Sequence, residues 1–395
     1  MHLIETYATN CGVKIDKPFI LEKYFPLDAG AYITFHPTSK DAKTYDLWQD
    51  VIDILLPFLN LAKIQILQLG APNERVFRGC YSTVGQTTVN QVAYLIRNGL
   101  LHFGVDSFPV HVASMYDKKI VALYSSNFSH CVGPYWGGKK NQILIDSPKN
   151  GKKPSFSTQE NPKTINNIRP EEIAKAVCDL LEIDFVFPFE TLSVGANYLK
   201  QMIEWVPAQN IDPNIYKIDN LIVRMDFYFN EDLLANQLGI SNCSIITNKP
   251  INKHLIERFR SKIKEVIYII DESNDPSFVG LLQKLGIKYA LLTEMDDDRL
   301  NEVKLDYFDF ATINRKLYTL DEKVKNCDPA KLCYRTSKFT LHDNKIFPSK
   351  MAYLNNQPIP SILQNFAKVA TSTGEVKNLK ELFKEEEYCI FLKEK

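Results

Sequence analysis

Residues 85–124 read GQTTVNQVAYLIRNGLLHFGVDSFPVHVASMYDKKIVALY, and the periodicities in this stretch decide the fold. Val89, Val92, Ala93 and Ile96 recur at helical spacing, residues 101–105 form a short apolar run of strand composition, and residues 119–123 form another. Between the two strands lies Asp106-Ser107-Phe108-Pro109-Val110-His111. A loop at the carboxyl end of a parallel strand that leads into a helix turns backbone N–H groups outward, and such a loop suits an anion. The same residues also suit a plain helix start capped by Asp106 or Ser107.

The alternation extends in both directions. Upstream, residues 1–30 read as one amphipathic helix and a loop, 31–36 as a strand, 45–59 as a helix, 63–69 as a strand closed by Gly70-Ala71-Pro72, and 76–81 as a third strand. The loops after these strands carry Thr38, Ser39, Lys40 and Lys43, then Asn73, Glu74 and Arg75. Downstream, residues 133–168 turn rich in Gly, Pro, Lys, Asn and Ser, broken only at 142–145. A loop longer than about 12 to 15 residues is functional or mobile as a rule. Pro170-Glu171-Glu172 then opens a helix, with Pro early and acids in the first turn. Strands alternating with helices of this length predict an α/β fold with a mainly parallel, doubly wound sheet and ligands at the strands' carboxyl ends.

A second such pattern follows a helix predicted at 195–204. Strands are predicted at 220–225, 244–247, 266–270, 287–292 and 308–313, and helices at 231–238, 253–263 and 277–285. The expected organisation is a helix and loop over 1–30, a Rossmann-like domain over 31–185, a second over 186–325 with a cleft between the two, and a C-terminal segment over 326–395 ending in a Lys/Glu-rich helix.

Lys plus Arg and Asp plus Glu both number 47, so no net field draws in nucleic acid or an anionic membrane. No apolar run approaches the roughly 20 residues that span a bilayer, and the first residues lack a signal peptide's basic start, so a soluble cytoplasmic protein is expected. The 8 cysteines show no C-x-x-C spacing and are read as reduced and mostly buried.

Four features of residues 32–181 resemble, in order, the nucleotide-sugar-binding domain of the heptosyltransferase-like glycosyltransferases, which move ADP-heptose onto lipopolysaccharide cores and have the two-domain GT-B fold. His36-Pro37-Thr38-Ser39-Lys40-Asp41-Ala42-Lys43 resembles the strand-end loop whose hydroxyls and lysine hold the diphosphate. Gly70-Ala71-Pro72-Asn73-Glu74 resembles the second loop, in which Glu74 would take the ribose hydroxyls. Asp106, Ser107 and His111 keep the spacing of the family's D-[ST]-G-x-x-H, and residues 168–181 match its closing helix. Phe108 departs from the pattern, standing where the family has glycine; a phenyl group there crowds the phosphate or stacks on the base. The order of the domains departs too. Residues 221–226, followed by Asn230-Glu231-Asp232, resemble the opening of the family's acceptor domain but lie after the donor domain, so the resemblance implies a circular permutation with Glu231 in the place of the catalytic base.

The resemblance implies transfer of a sugar from a nucleotide-activated donor to a hydroxyl acceptor, inverting and without a metal or other cofactor. Thr38, Ser39, Lys40, Lys43, Glu74, Asp106, Ser107, Phe108 and His111 would hold the donor, with Lys43, Lys40 and the amides at 107 and 108 neutralising the leaving diphosphate. Glu231, or its rivals Asp226 and Asp232, would deprotonate the acceptor; first-turn acids favoured by the helix dipole are the plainer reading of Glu231 and Asp232. Asp296-Asp297-Asp298 has the look of a metal-binding D-x-D or of an acidic helix start, and Lys139, Lys140, Lys152 and Lys153 form a local basic patch. The acceptor is a glycan or another hydroxyl compound; the competing expectations are transfer to hydroxymethylated bases in DNA, non-catalytic binding of a nucleotide sugar, and sugar epimerisation.

Overall fold

The computed structural model describes residues 1–211, 220–271, 273–315, 320–348, 350–358, 372–379 and 386–395. It divides into two compact units, Met1–Pro188 and Phe189–Lys395.

The first unit is built on β1 (Tyr32–His36), β2 (Gln65–Gln68), β3 (Tyr81–Ser82), β4 (Leu101–Val105), β5 (Lys119–Tyr124) and β6 (Gln142–Asp146). All pairings are parallel, in the order β3-β2-β1-β4-β5-β6. The helices Trp48–Leu61, Val89–Asn98, Phe108–Met115 and Pro170–Leu181 connect or cover the strands. The doubly wound expectation therefore holds, and the order reverses between β1 and β4. Beneath that reversal the two strands are pinned side by side. Phe35 faces Phe103 across the ladder with ring centroids 4.6 Å apart, and Thr34 Oγ1 bonds His102 Nδ1 at 3.0 Å. Gly104 completes the fit: a Cβ there would lie 2.2 Å from the carbonyl oxygen of His36.

The strand predicted at 76–81 shrinks to Tyr81–Ser82, because Gly79 at φ +87° interrupts the extended backbone. The N-terminal helix is Leu3–Cys11, and none of its residues is buried. His2 starts it with a capping box shared with Glu5, and His2 Nε2 also bonds the carbonyl of Gly133 at 2.9 Å.

The second unit holds two sheets. The larger places β8 (Met202–Trp205), β9 (Asn220–Arg224), β10 (Cys243–Thr247), β11 (Ile263–Ile269), β12 (Tyr289–Thr293) and β13 (Ile313–Arg315) in parallel succession, with β15 (Lys338–His342) parallel to β8 on its other side and β16 (Lys345–Phe347) antiparallel beyond it. The smaller, antiparallel sheet joins β7 (Phe189–Val194), β14 (Leu332–Thr336), β17 (Ser372–Glu375) and β18 (Cys389–Glu394).

Several sequence expectations change here. Part of the helix predicted at 195–204 is strand β8, whose Met202, Ile203 and Trp205 are buried; a short apolar run of this kind does not betray its period. The helix predicted at 253–263 ends at Arg258, and Ile263 opens β11. The strand predicted at 308–313 begins only at Ile313, and Phe308 is exposed. The predicted Lys/Glu-rich helix falls partly on residues 380–385, outside the described ones, and the chain beyond it is strand β18. Only Cys178, Cys243 and Cys389 are buried, Cys11 is exposed, and no cysteine is in a disulfide. Among the described residues no helix is long and apolar enough to cross a membrane.

Candidate functional site

The strand order reverses between β1 and β4, and doubly wound sheets take their ligands at the carboxyl ends of such a reversal. His36 ends β1, and Asp106-Ser107 leads from β4 into the helix Phe108–Met115. In the first turn of that helix Pro109 has no N–H and the Val110 amide donates to the Ser107 carbonyl at 3.2 Å, so the Phe108 N–H is the first-turn donor left at the positive end of the dipole.

Lys43, in the short turn Asp41–Lys43, reaches across to Asp106: its Nζ stands 2.5 Å from Asp106 Oδ2, with 8% of the aspartate side chain and 23% of the lysine exposed. Ser39 Oγ donates to the backbone carbonyl of Asp106 at 3.0 Å. Ser107 Oγ donates to the carbonyl of Val105 at 3.1 Å, so the His36 Nδ1 bonded to it at 2.9 Å is the donor of that pair. Sequence reasoning quoted His36 without giving it a role; its signal was its place at the strand end.

Glu74 approaches from the loop after β2. Its Oε2 is buried and has no hydrogen-bond partner, and Gly70 gives it room, since a Cβ there would lie 2.8 Å from that oxygen. Burial lowers the pKa of His36, and the nearby Glu74 charge partly restores it. Burial likewise lowers the pKa of His111, against the pull of Asp106 and with the repulsion of His2 and Lys43. His36, Lys43, Glu74, Asp106, Ser107 and His111 are thus brought together, with Ser39 bonded behind them. Phe108 is 46% exposed at the first position of the helix. Thr38 is half-buried beside Ser39, and Lys40 is exposed. The arrangement offers a lysine, the helix-start N–H at Phe108 and one unpartnered carboxylate oxygen at one strand end: cationic and N–H groups for an anion, and an acceptor for hydroxyl groups.

The carboxylates of the second unit divide by environment. Asp226 is held by Arg224 through two bonds, Nε to Oδ1 at 2.8 Å and Nη2 to Oδ2 at 2.7 Å. Arg224 also reaches Glu204 at 2.5 Å, and Glu204 takes Lys338 at 2.7 Å, a buried network in which the two cations hold the Glu204 carboxyl down to about 2 against the opposing effect of burial. Glu231 and Asp232 occupy the first turn of the helix Glu231–Ile240, and Glu231 Oε1 accepts from the amide of Asn252 at 2.6 Å. Asp296 caps the helix Asp297–Val303 by accepting from the amide of Arg299, and Asp297 pairs with Arg315 at 2.6 Å, so the run of three aspartates forms a helix start. Of the predicted basic patch, Lys139 is turned back on the carbonyl of Pro134 at 2.9 Å, while Lys140, Lys152 and Lys153 are exposed.

Comparison with known proteins adds a family. Residues 10–165 match the model of glycosyltransferase family 9 (heptosyltransferase). No curated protein matches the chain. Among solved structures, the family 9 glycosyl transferase of Veillonella parvula is 18% identical with a TM-score of 0.33, covering 45% of this chain and 50% of that one. The E. coli ADP-heptose lps heptosyltransferase II is 15% identical at a TM-score of 0.32, with 45% and 50% covered. An E. coli heptosyltransferase with ADP is 20% identical at 0.32, with 45% and 54% covered. The chain thus spans about half the length of these structures. Through residues 10–165, the chain is heptosyltransferase-like and resembles glycosyltransferase family 9.

Proposed function

We propose that the protein is a glycosyltransferase whose first unit binds a nucleotide-activated sugar and whose reaction is a single inverting displacement that needs no metal. The observation that carries this reading is the Lys43–Asp106 pair at the β1/β4 reversal, beside a helix N-terminus. Asp106 aims the Lys43 ammonium, which, with Lys40 and the amides at Ser107 and Phe108, takes the diphosphate. The orphaned Glu74 oxygen accepts from ribose hydroxyls, and the exposed Phe108 ring stacks on the base. As the acceptor oxygen bonds to C1, its proton passes to a carboxylate, the C1–O bond to phosphate breaks, and the diphosphate leaves with the electron pair.

For that carboxylate we favour Glu231, with Asp232 next, because Asp226 is already committed to Arg224. For the acceptor we favour the second unit's reversal of strand order between β8 and β15. A cavity of about 400 Å³ opens near the carboxyl end of β15, lined by His342, Asp343, Lys345, Phe347, Tyr353, Leu354 and Asn356. Tyr353 there stacks on Phe227, just beyond β9, at 4.9 Å. Hydroxyl-binding and aromatic groups together suit a sugar ring. This reading keeps residues 221–234 as the displaced opening of an acceptor domain and the chain as a permuted member of the fold.

A transferase hydrolyses its donor slowly even without acceptor. The expected result is a measurable rate that EDTA leaves unchanged and that Glu231→Gln lowers while donor binding persists. Strict dependence on Mg²⁺ or Mn²⁺ would reject the metal-free mechanism, and a wild-type rate in Glu231→Gln would pass the base to Asp232. Oligosaccharides, lipid-linked sugars and DNA with hydroxymethylated bases are the acceptors to compare.

A further inference from the structure

The long polar segment after β6 is tied to the turn that carries Lys43. The amide of Ala42 donates to the carbonyl of Thr158 at 3.0 Å. Lys163 Nζ lies 3.0 Å from Asp41 Oδ1 and 3.0 Å from Asp46 Oδ1, bridging the acids on either side of Lys43. Asn166 closes the joint from the same segment, donating to Asp46 Oδ2 at 2.8 Å and accepting the Asp46 amide at 3.0 Å. On the other side, Ser125 Oγ donates to the carbonyl of Ala42 at 2.6 Å.

We propose that Lys163 is a positioning residue for the anion site, neutralising Asp41 and Asp46 so that Lys43 is aimed at Asp106 and at a diphosphate rather than at its own neighbours. Without Lys163, the turn presents two uncompensated carboxylates within a few residues of Lys43, and either competes with Asp106 for the ammonium. The same two charges lie beside the place where a diphosphate would bind and repel it. The side chain of Lys163 is only 19% exposed, so solvent screens these interactions less than at an open surface. Burial lowers its pKa, but the bonds and charges of Asp46 and Asp41 outweigh burial and leave it raised, so it is charged throughout the physiological range.

This inference rests on the donor-site reading for its effect on binding, but not for its effect on Lys43 itself. Two readouts on the full chain separate them. The first is the affinity for whichever of ADP, UDP, GDP and CDP binds the wild-type protein best; Lys163→Met is expected to weaken it about tenfold, and Lys163→Arg to restore most of it by keeping the charge. The second needs no nucleotide: the rate at which an activated ester acylates Lys43, followed by mass spectrometry. Paired Lys43 reacts slowly, and Lys163→Met, which leaves two uncompensated carboxylates to hold the Lys43 ammonium, should slow the reaction further while Lys163→Arg does not. A folded Lys163→Met protein with wild-type affinity and wild-type Lys43 acylation would overturn the proposal. If no diphosphate binds the wild-type protein, the donor reading falls, and the acylation rate still decides whether Lys163 positions Lys43.

Discussion

At the scale of single residues, the site mixes satisfied and unsatisfied groups, and the two kinds predict opposite responses to substitution. Glu74 Oε2 is buried without a partner, so it costs stability until a ligand hydroxyl arrives. Glu74→Gln should therefore melt at or slightly above the wild-type temperature yet bind nucleotide roughly tenfold more weakly; a loss of stability with unchanged affinity would show that Glu74 serves the fold instead. Three histidines of this unit give a pH signature. Burial lowers the pKa of His36 and His111, and that of His102 to about 3, below the ordinary histidine value near 6.5. The unfolded chain then binds protons first as pH falls. Their contribution is complete above about pH 6.5 and is lost below it, at up to about 1.4 kcal/mol per pH unit for each group until that group's folded pKa is reached. Urea melts between about pH 8 and pH 5 should show this decline, and His102→Gln should flatten it. An unchanged slope in that variant would mean His102 titrates normally.

At the scale of elements, the close contact of β1 and β4 is what places the Asp106 loop against Lys43. Gly104 is the tightest point, so Gly104→Ala must part the strands or shift the His36 carbonyl, at a cost of about 3 kcal/mol or more, with donor binding lost in whatever remains folded. A denaturation midpoint near that of the wild type would contradict this. Much of the first unit was legible because its signals were redundant. The strand-end loops carry His36, Lys43 and Asp106 in sequence order, and helical and extended periods alternate cleanly around them. What was not legible is what depends on distant pairing. Residues 202–205 look locally like a helix end but are held as a strand by β9 and β15, the latter more than a hundred residues away in sequence. Lys163 reads as one more loop lysine, because nothing local says that Asp41 and Asp46 lie within its reach.

At the scale of the whole molecule, two units each carry a mainly parallel sheet with one reversal of strand order, and each reversal lies beside polar groups suited to a ligand. Sequence showed the first of these sheets almost complete; it missed the second reversal because β15 comes from the segment that looked least regular. The central claim is that the first unit binds nucleotide-activated sugars through Lys43 and Asp106. The most direct test is a thermal-stability titration of the full chain with ADP, UDP, GDP and CDP sugars, in parallel with Lys43→Met. The account predicts that at least one donor stabilises the wild-type protein, by about 2.7 kcal/mol at a hundred times its dissociation constant, and that Lys43→Met requires at least about tenfold more of it. No shift from any donor at millimolar concentration, or an equal shift in Lys43→Met, would contradict it.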